Sequence, residues 1–152
     1  MAKSKNIYIY PIKIHEYVGI SYNTSPAHVG RLKYAVDFFV PEGTPIVAAA
    51  EGVVDEIKQD SDKAGPKSFD RYGNYIELNH KNDECSIYEH IKKNGSVVKV
   101  GQKVKAGQLI GYAGDTGWSY HVPHLHFDVH KYFGKGGDDY NTVKIRWKKK
   151  SV

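Results

Sequence analysis

The chain has 152 residues, of which 40% are hydrophobic and 26% are charged, and its formal net charge at pH 7 is +5. This length and composition are typical of one globular domain that buries its own core. The longest apolar runs are too short to span a membrane, and the single cysteine, Cys85, excludes an internal disulfide. We therefore expect a single domain over residues 1–152 without a transmembrane segment.

The basic residues are spread along the chain apart from a run at residues 148–150, which we interpret as a solvated tail. The positive charge favours anionic surroundings such as cell-wall polymers or nucleic acid. Because the chain carries no nucleic-acid-binding motif, no nucleic acid partner is expected. Residues 1–6 are basic, but an alternating stretch follows them instead of the apolar centre of a signal peptide, so no signal peptide is visible.

Short stretches of β-forming residues predict strands along the whole chain. In chain order they are residues 7–10, 12–14, 34–40, 46–50, 53–57, 75–79, 86–91, 109–113, 125–130 and 143–147. Glycine and proline separate them, and convincing helical periodicity is missing. Residues 60–72 are expected to be a mobile loop and residues 134–139 a second loop. This pattern predicts an all-β fold, a compact antiparallel sandwich or barrel-like single domain with long loops.

Two histidines lie close together in the segment Pro123-His124-Leu125-His126-Phe127. On an extended strand His124 and His126 project to one side, whereas Leu125 and Phe127 point the other way into a core. One imidazole can then bind a metal while its neighbour acts beside it. An aspartate and a third histidine would complete a three-ligand zinc site with an open position, which is typical of catalytic zinc.

Alternation also places Asp37 on one strand face together with Ala35 and Phe39. A carboxylate among so many apolar neighbours is costly unless it is paired or coordinated. A structural hydrogen bond would satisfy Asp37 as well, but the nearby histidine blocks favour a metal.

The segment of residues 85–90 predicts which side chains can meet a metal. Cys85 and Ile87 share one face of the strand, and Ser86, Tyr88 and His90 share the other. Cys85 should therefore not meet His90 at a metal, and we expect it to be a small, inert strand residue.

Several sequence blocks carry a family resemblance over a motif core of about residues 22–130. They are SPAH (25–28), YAVDF (34–38), PEGTPIVAA (41–49), GVV (52–54), GNYI (73–76), YEHI (88–91), VKAGQLIG (104–111) and PHLHF (123–127). In this order they resemble the lysostaphin-type (LytM-like) zinc metallopeptidases, which cut peptide bonds in bacterial cell walls. The resemblance implies a cleft with one zinc ion, surrounded by the long loops.

The resemblance implies zinc ligands at His28, Asp37 and His126, and an acid–base pair formed by His90 and His124 beside a zinc-activated water. Many family members have the first histidine four residues before the aspartate, where this chain has Lys33. His28, with eight intervening residues, fits a subgroup with a longer insertion. The sequence leaves open which of the two acid–base histidines is the base.

Four further residues are candidates for substrate binding. Tyr22 resembles the family's loop tyrosine, which can donate to a developing oxyanion, or it is a packed loop aromatic. Trp118 and Tyr120 lie in the turn before the histidine pair and are expected to line the cleft. Asn74 either hydrogen-bonds a substrate or shapes its own turn.

Asp128 and His130, on the strand of residues 125–130, and His80 are not expected to bind the metal. His130 is about 13 Å from His126 along an extended strand and should not share its metal. Asp128, between them, either partners a ligand or is exposed, and we favour exposure. His80, at a strand end in polar sequence, is expected to be exposed.

The implied function is a zinc metalloendopeptidase that hydrolyses peptide cross-links of peptidoglycan and is secreted, periplasmic or cell-wall associated. The bond cleaved and the oligomeric state stay open. One alternative is a non-catalytic wall-binding or amidase-activating module of the same fold. Another is a biotinyl or lipoyl carrier, since residues 45–54 and 97–111 have a spacing of short strands similar to that of these small barrels. The lysine that a carrier needs at a tight exposed hairpin is not evident.

Overall fold

The computed structural model describes residues 3–13, 19–21, 30–131 (apart from the Arg31 side chain) and 141–149. Its strands are β1 (Lys3–Tyr8), β2 (Gly19–Ser21), β3 (Val36–Phe39), β4 (Pro45–Val47), β5 (Gly52–Lys58), β6 (Ala64–Gly65), β7 (Tyr75–His80), β8 (Glu84–Glu89), β9 (Ile91–Ser96), β10 (Lys103–Val104), β11 (Leu109–Ala113), β12 (Gly117–Trp118), β13 (Leu125–Lys131) and β14 (Lys144–Trp147). Within the described residues, two short 3-10 helices span Gly30–Leu32 and Lys67–Tyr72. Over the described ranges, no helix has the length and apolar character needed to cross a bilayer.

The strands form one large sheet and three small ones. The seven-stranded sheet has the order β10-β5-β7-β8-β13-β3-β2, and its paired strands are antiparallel. A three-stranded sheet has the order β4-β11-β9, while β1 pairs with β14 and β12 with β6 in parallel. The all-β prediction is confirmed.

One face of the seven-stranded sheet is apolar. Strand β13 places Leu125, Phe127 and Val129 on it, and all three are 0% exposed. Isoleucines of the three-stranded sheet join the same hydrophobic cluster, so that the core is shared by both sheets. These are Ile46, Ile91 and Ile110. The prediction that Leu125 and Phe127 point into a core is confirmed.

The opposite face of the same sheet is polar. His126, Asp128 and His130 alternate with the core residues of β13, as the pleat of a strand requires. In register, His126 lies beside Asp37 on β3 and Glu89 on β8. We call this surface the polar face, and it carries the candidate sites.

The strand expected over residues 86–91 is interrupted. Strand β8 ends at Glu89, β9 begins at Ile91, and His90 between them has a φ of 68°. The expected loop of residues 60–72 contains β6 and a 3-10 helix instead. Residues 12 and 13 are not in a strand, and the loop expected at residues 134–139 lies outside the described residues.

A buried carboxylate fastens the first strand to the sheet. The Glu84 side chain, 0% exposed, accepts hydrogen bonds from the backbone N–H of Lys5 (2.6 Å) and Asn6 (3.1 Å), from the Tyr8 hydroxyl (3.0 Å) and from Lys131 Nζ (3.0 Å). Burial opposes ionisation, but these donors outweigh it and hold the pKa of Glu84 below its usual value.

Candidate metal and catalytic site

The pairing of β3 with β13 brings Asp37 and His126 together. They are register partners, and Asp37 Oδ1 lies 3.4 Å from His126 Nδ1. Both residues are 4% exposed. The predicted strand alternation thus delivers two of the three expected ligands to one point, whereas His28 lies outside the described residues.

The second nitrogen of His126 is held by another carboxylate. Nε2 lies 3.0 Å from Asp128 Oδ2 and 3.5 Å from Glu89 Oε2. When Nε2–H donates to Asp128, the lone pair of the neutral ring is on Nδ1 and faces Asp37. A metal-binding histidine usually has this arrangement, with its other ring nitrogen bound to a carboxylate.

The charges around His126 favour a cation. Burial lowers its pKa, but the Glu89 charge and the hydrogen bonds to Asp128 and Asp37 outweigh burial and raise the pKa well above its usual value. With a neutral ring, two acceptor atoms of His126 and Asp37 would face each other at 3.4 Å in a buried place. A metal ion between them relieves this repulsion, and a nitrogen–oxygen donor set suits zinc. These residues therefore fit the implied zinc ion.

His90 and His124 lie beside this pair. Their ring centroids are 4.3 Å apart, and His124 Nε2 is 4.0 Å from Asp37 Oδ1. His90 Nδ1 lies 2.6 Å from the Thr116 carbonyl, and His124 Nδ1 lies 2.8 Å from the Val122 carbonyl. Each Nδ1–H donates to its carbonyl oxygen, so each neutral ring carries its lone pair on Nε2.

The position of His90 corrects the strand alternation expected from sequence. Ser86 and Tyr88 are 0% exposed and lie on the core face, whereas His90 joins the histidines of the polar face. The reason is the backbone of His90, whose φ of 68° is in the left-handed region that interrupts alternation. Burial, with the charges of His124 and His126, lowers the pKa of His90 to about 3, so its ring is neutral at pH 7.

Asn74 supports the loop that holds His90. It is 0% exposed, and its amide accepts from Ser61 N (3.1 Å) and donates to the carbonyls of Ser61 (2.8 Å) and Ile91 (3.1 Å). Its own N–H donates to Thr116 Oγ1 (3.0 Å), the residue whose carbonyl holds His90. These contacts favour the turn-shaping role of Asn74 over substrate contact.

The structure describes two of the three aromatic candidates for substrate binding. Tyr120 is 58% exposed, Trp118 is partly exposed in β12, and Lys67 Nζ lies 5.8 Å from the centre of the Trp118 ring. Tyr22 lies outside the described residues. Substrate contact by all three stays a prediction.

Sequence comparison decides the family. Residues 31–142 match the profile described as Peptidase family M23. The chain belongs to peptidase family M23. The family resemblance drawn from the sequence blocks is confirmed.

This M23 chain is 41% identical to lysostaphin of Staphylococcus staphylolyticus over 112 residues, which are 72% of the chain and 21% of that protein. It is 38% identical to the peptidoglycan DD-endopeptidase ShyC of Vibrio cholerae over 93 residues, which are 60% of the chain and 18% of that protein. A solved zinc-containing peptidase from Vibrio cholerae superposes with a TM-score of 0.62 and 27% identity, covering 91% of the chain and 39% of that structure. The chain thus spans about a fifth of the two curated relatives.

Sequence reasoning favoured the wrong alternative for Asp128 and missed Glu89, two acidic residues of this candidate site. Asp128, expected to be exposed, is 0% exposed and bonds His126. The sequence did indicate that Asp128 lies on the same strand face as His126, because residues two apart share a face. Glu89 offers a ligand atom within 4.8 Å of those of His90 and His126, but only the pairing of β8 with β13 reveals that.

His80 is a smaller correction. It is half-buried, with Nδ1 2.6 Å from the Glu51 carbonyl and Nε2 2.7 Å from Ser86 Oγ. Burial lowers the pKa of His80. The ring therefore ties a strand end to its neighbours instead of facing solvent.

Proposed function

We propose that this M23 domain is a zinc-dependent endopeptidase that hydrolyses peptide cross-links of bacterial peptidoglycan. One observation carries the proposal: the Asp37–His126 pair and two oriented histidines, His90 and His124, meet at one end of the polar face. The similarity to a peptidoglycan endopeptidase and to a zinc-containing peptidase supports this substrate and this metal.

In this proposal one zinc ion would be held by Asp37, by His126 through Nδ1 and by His28. A bound zinc ion supplies a Lewis acid that polarises a carbonyl and makes water more acidic. Asp128 fixes the His126 ring so that Nδ1 is the metal-binding nitrogen, at an Nε2–Oδ2 distance of 3.0 Å.

His90 and His124 would move the protons. Hydrolysis of an amide requires that a proton leave the attacking water and that another reach the departing amine. Both rings are anchored through Nδ1 to backbone carbonyls, so Nε2 is the nitrogen of each that exchanges a proton. Either histidine can be the base.

The proposed substrate is a cell-wall peptide, and the location is the cell wall, the periplasm or the outside of the cell. The net charge of +5 suits an anionic wall. Tyr22, Trp118 and Tyr120 would contact the peptide around the metal. The same anionic attraction predicts that wall binding weakens as salt rises.

The test uses purified peptidoglycan of two kinds, one cross-linked by glycine bridges and one cross-linked directly through D-amino acids. The protein is chelated and then reloaded with zinc, and new amino termini are labelled and located by mass spectrometry. We expect them only in zinc-loaded samples, and the matched control, zinc-loaded His124→Ala, should release far fewer. Cleavage of an unrelated peptide but of neither wall would refute the substrate. Zinc binding without any cleavage would favour the non-catalytic module.

A further inference from the structure

A second group of side chains of the types that bind metals lies further along the polar face. Glu77 on β7, Cys85 on β8 and His130 on β13 each offer a ligand atom, and these atoms lie within 4.8 Å of one another. The sheet register explains the meeting, because Cys85 pairs with His130 on one side and with Asn79, two residues after Glu77, on the other. Three antiparallel strands thus bring oxygen, sulfur and nitrogen donors to one place.

The group is buried and already ordered by contacts. Cys85 is 0% exposed and His130 4%, while the Glu77 side chain is 13% exposed and forms the outer wall. His130 Nε2 lies 3.1 Å from Glu77 Oε1, and His130 Nδ1 lies 3.1 Å from Asp128 Oδ1. Asp128 therefore orients His130 through Nδ1, as it orients His126 through Nε2.

We propose that Glu77, Cys85 and His130 form a second metal site, which binds zinc through a thiolate, an imidazole Nε2 and a carboxylate. Zinc accepts all three donor types, and thiolate and imidazole favour it over magnesium or calcium. Two ligands of a tetrahedral zinc ion lie roughly 3.5 Å apart, so a set already within 4.8 Å needs only small movements. His130 is displaced from His126 by four residues along the strand, roughly 13 Å, which keeps the two ions apart.

Binding replaces protons and involves no redox step. The Cys85 thiol, which donates to Asn79 Oδ1 at 2.8 Å, gives up its proton and bonds the metal as thiolate. His130 gives up the proton on Nε2 that faces Glu77 and keeps Nδ1–H on Asp128. Both protons pass to the buffer, and the Asn79 amide can turn over to donate N–H to the thiolate.

Acidic side chains on the Glu77 side of the group favour a positive charge at this place. Carboxylate oxygens of Asp55 and Glu56 lie within 4.8 Å of one another and of Glu77, and Glu56 is exposed. These charges attract cations to the Glu77 side of the site.

Cobalt titration tests the proposal, because Cys85 is the one cysteine of the chain. A thiolate-to-cobalt charge-transfer band can therefore arise only at this site, since the ligands proposed for the first site lack sulfur. We expect the metal-free protein to bind two cobalt ions and to show that band, which zinc removes by competition. Cys85→Ser should bind one ion without the band, and the matched control His121→Gln, altered at an exposed histidine, should keep two ions and the band.

A wild-type protein that binds one ion and shows no thiolate band at excess cobalt would overturn the proposal. Because that outcome is measured on the wild type, a folding defect in Cys85→Ser cannot hide it. His130→Gln provides a second variant, which should also lose the band. This test is independent of the proposed peptidase activity. An active enzyme without the band would refute only the second metal site, and an inactive protein with the band would refute only the peptidase activity.

Discussion

The two faces of the seven-stranded sheet use the same strands for different purposes. On β13, Leu125, Phe127 and Val129 are buried in the core, and His126 and Asp128 between them belong to the proposed metal site. The apolar face is stabilised by removing side chains from water, an interaction without direction. The polar face depends on direction, since each imidazole is fixed by particular oxygen atoms.

Along β13, residues that stabilise the fold therefore alternate with residues of the proposed metal site. A register slip of one residue would exchange the two faces and place His126 in the core. Substitutions at adjacent residues should therefore affect different properties, one the binding of the metal and the other the stability of the fold.

The largest effect is expected for His126→Ala. The variant loses the ligand that faces Asp37, so zinc content should fall to near zero and cleavage should be abolished. Metal analysis of purified protein measures the loss, with His121→Ala, at an exposed histidine, as the control. Full zinc occupancy in His126→Ala would show that the ligand assignment is wrong.

The neighbouring substitution, Phe127→Ala, should act on the other face. Phe127 is 0% exposed, and truncating a buried phenylalanine costs about 3–5 kcal/mol of the free energy of unfolding. Urea denaturation measures the change, and Val122→Ala, at 46% exposure, should cost far less. Folded Phe127→Ala should still bind zinc; loss of zinc from folded protein would contradict the separation of the faces.

His90→Ala and His124→Ala test whether proton transfer and metal binding depend on different residues of the polar face. Both rings are anchored to backbone carbonyls and carry their lone pairs on Nε2. Each variant should keep its zinc and lose roughly a hundredfold in kcat/KM, as expected for a missing acid–base group. Near-normal turnover by either zinc-loaded variant would make that histidine a structural neighbour only.

Asp128→Asn should have a smaller effect, on metal affinity. The carboxylate that accepts from His126 Nε2 at 3.0 Å is replaced by an amide, which holds the ring less well. Zinc affinity should fall about 10–100-fold, as is usual for such outer partners, measured by competition with a chelating dye. Asp62→Asn, at an exposed aspartate, is the control. Unchanged affinity would show that Asp128 does not position His126.

The smallest effect is expected for Glu84, the buried carboxylate that holds β1 against the sheet. Its pKa is lowered in the folded protein, so its contribution to stability is complete above the unfolded pKa and is lost as pH falls through the folded pKa. Glu84→Gln should lose about 1–3 kcal/mol at neutral pH, and the difference from wild type should shrink in acid. Urea denaturation at both pH values measures this, with exposed Glu42→Gln as control. An equal deficit at both pH values would contradict the assignment.

Much of the fold followed from period-two alternation. Phe127 and Leu125 in the core, and His126 opposite them beside Asp37, are direct consequences of strand geometry. The polar composition of residues 92–96 gave no strand signal, yet they lie in β9, because tertiary pairing overrides local preference.

The site was less predictable where the backbone is irregular or the partner is distant in sequence. His90 reaches the site through a left-handed backbone conformation that alternation cannot anticipate. Glu89 and the Glu77–Cys85–His130 group depend on strand register, which a single sequence does not reveal. Asp128 is different: its face followed from alternation, but its burial depended on the neighbouring strands.

The most direct test of the proposed zinc site is anomalous diffraction at the zinc edge from crystals of the zinc-loaded protein. We expect a zinc peak about 2.0–2.2 Å from His126 Nδ1 and from a carboxylate oxygen of Asp37, with Nε2 still bonded to Asp128. A peak on His126 Nε2 beside Glu89, or a zinc ion that does not touch Asp37, would contradict it.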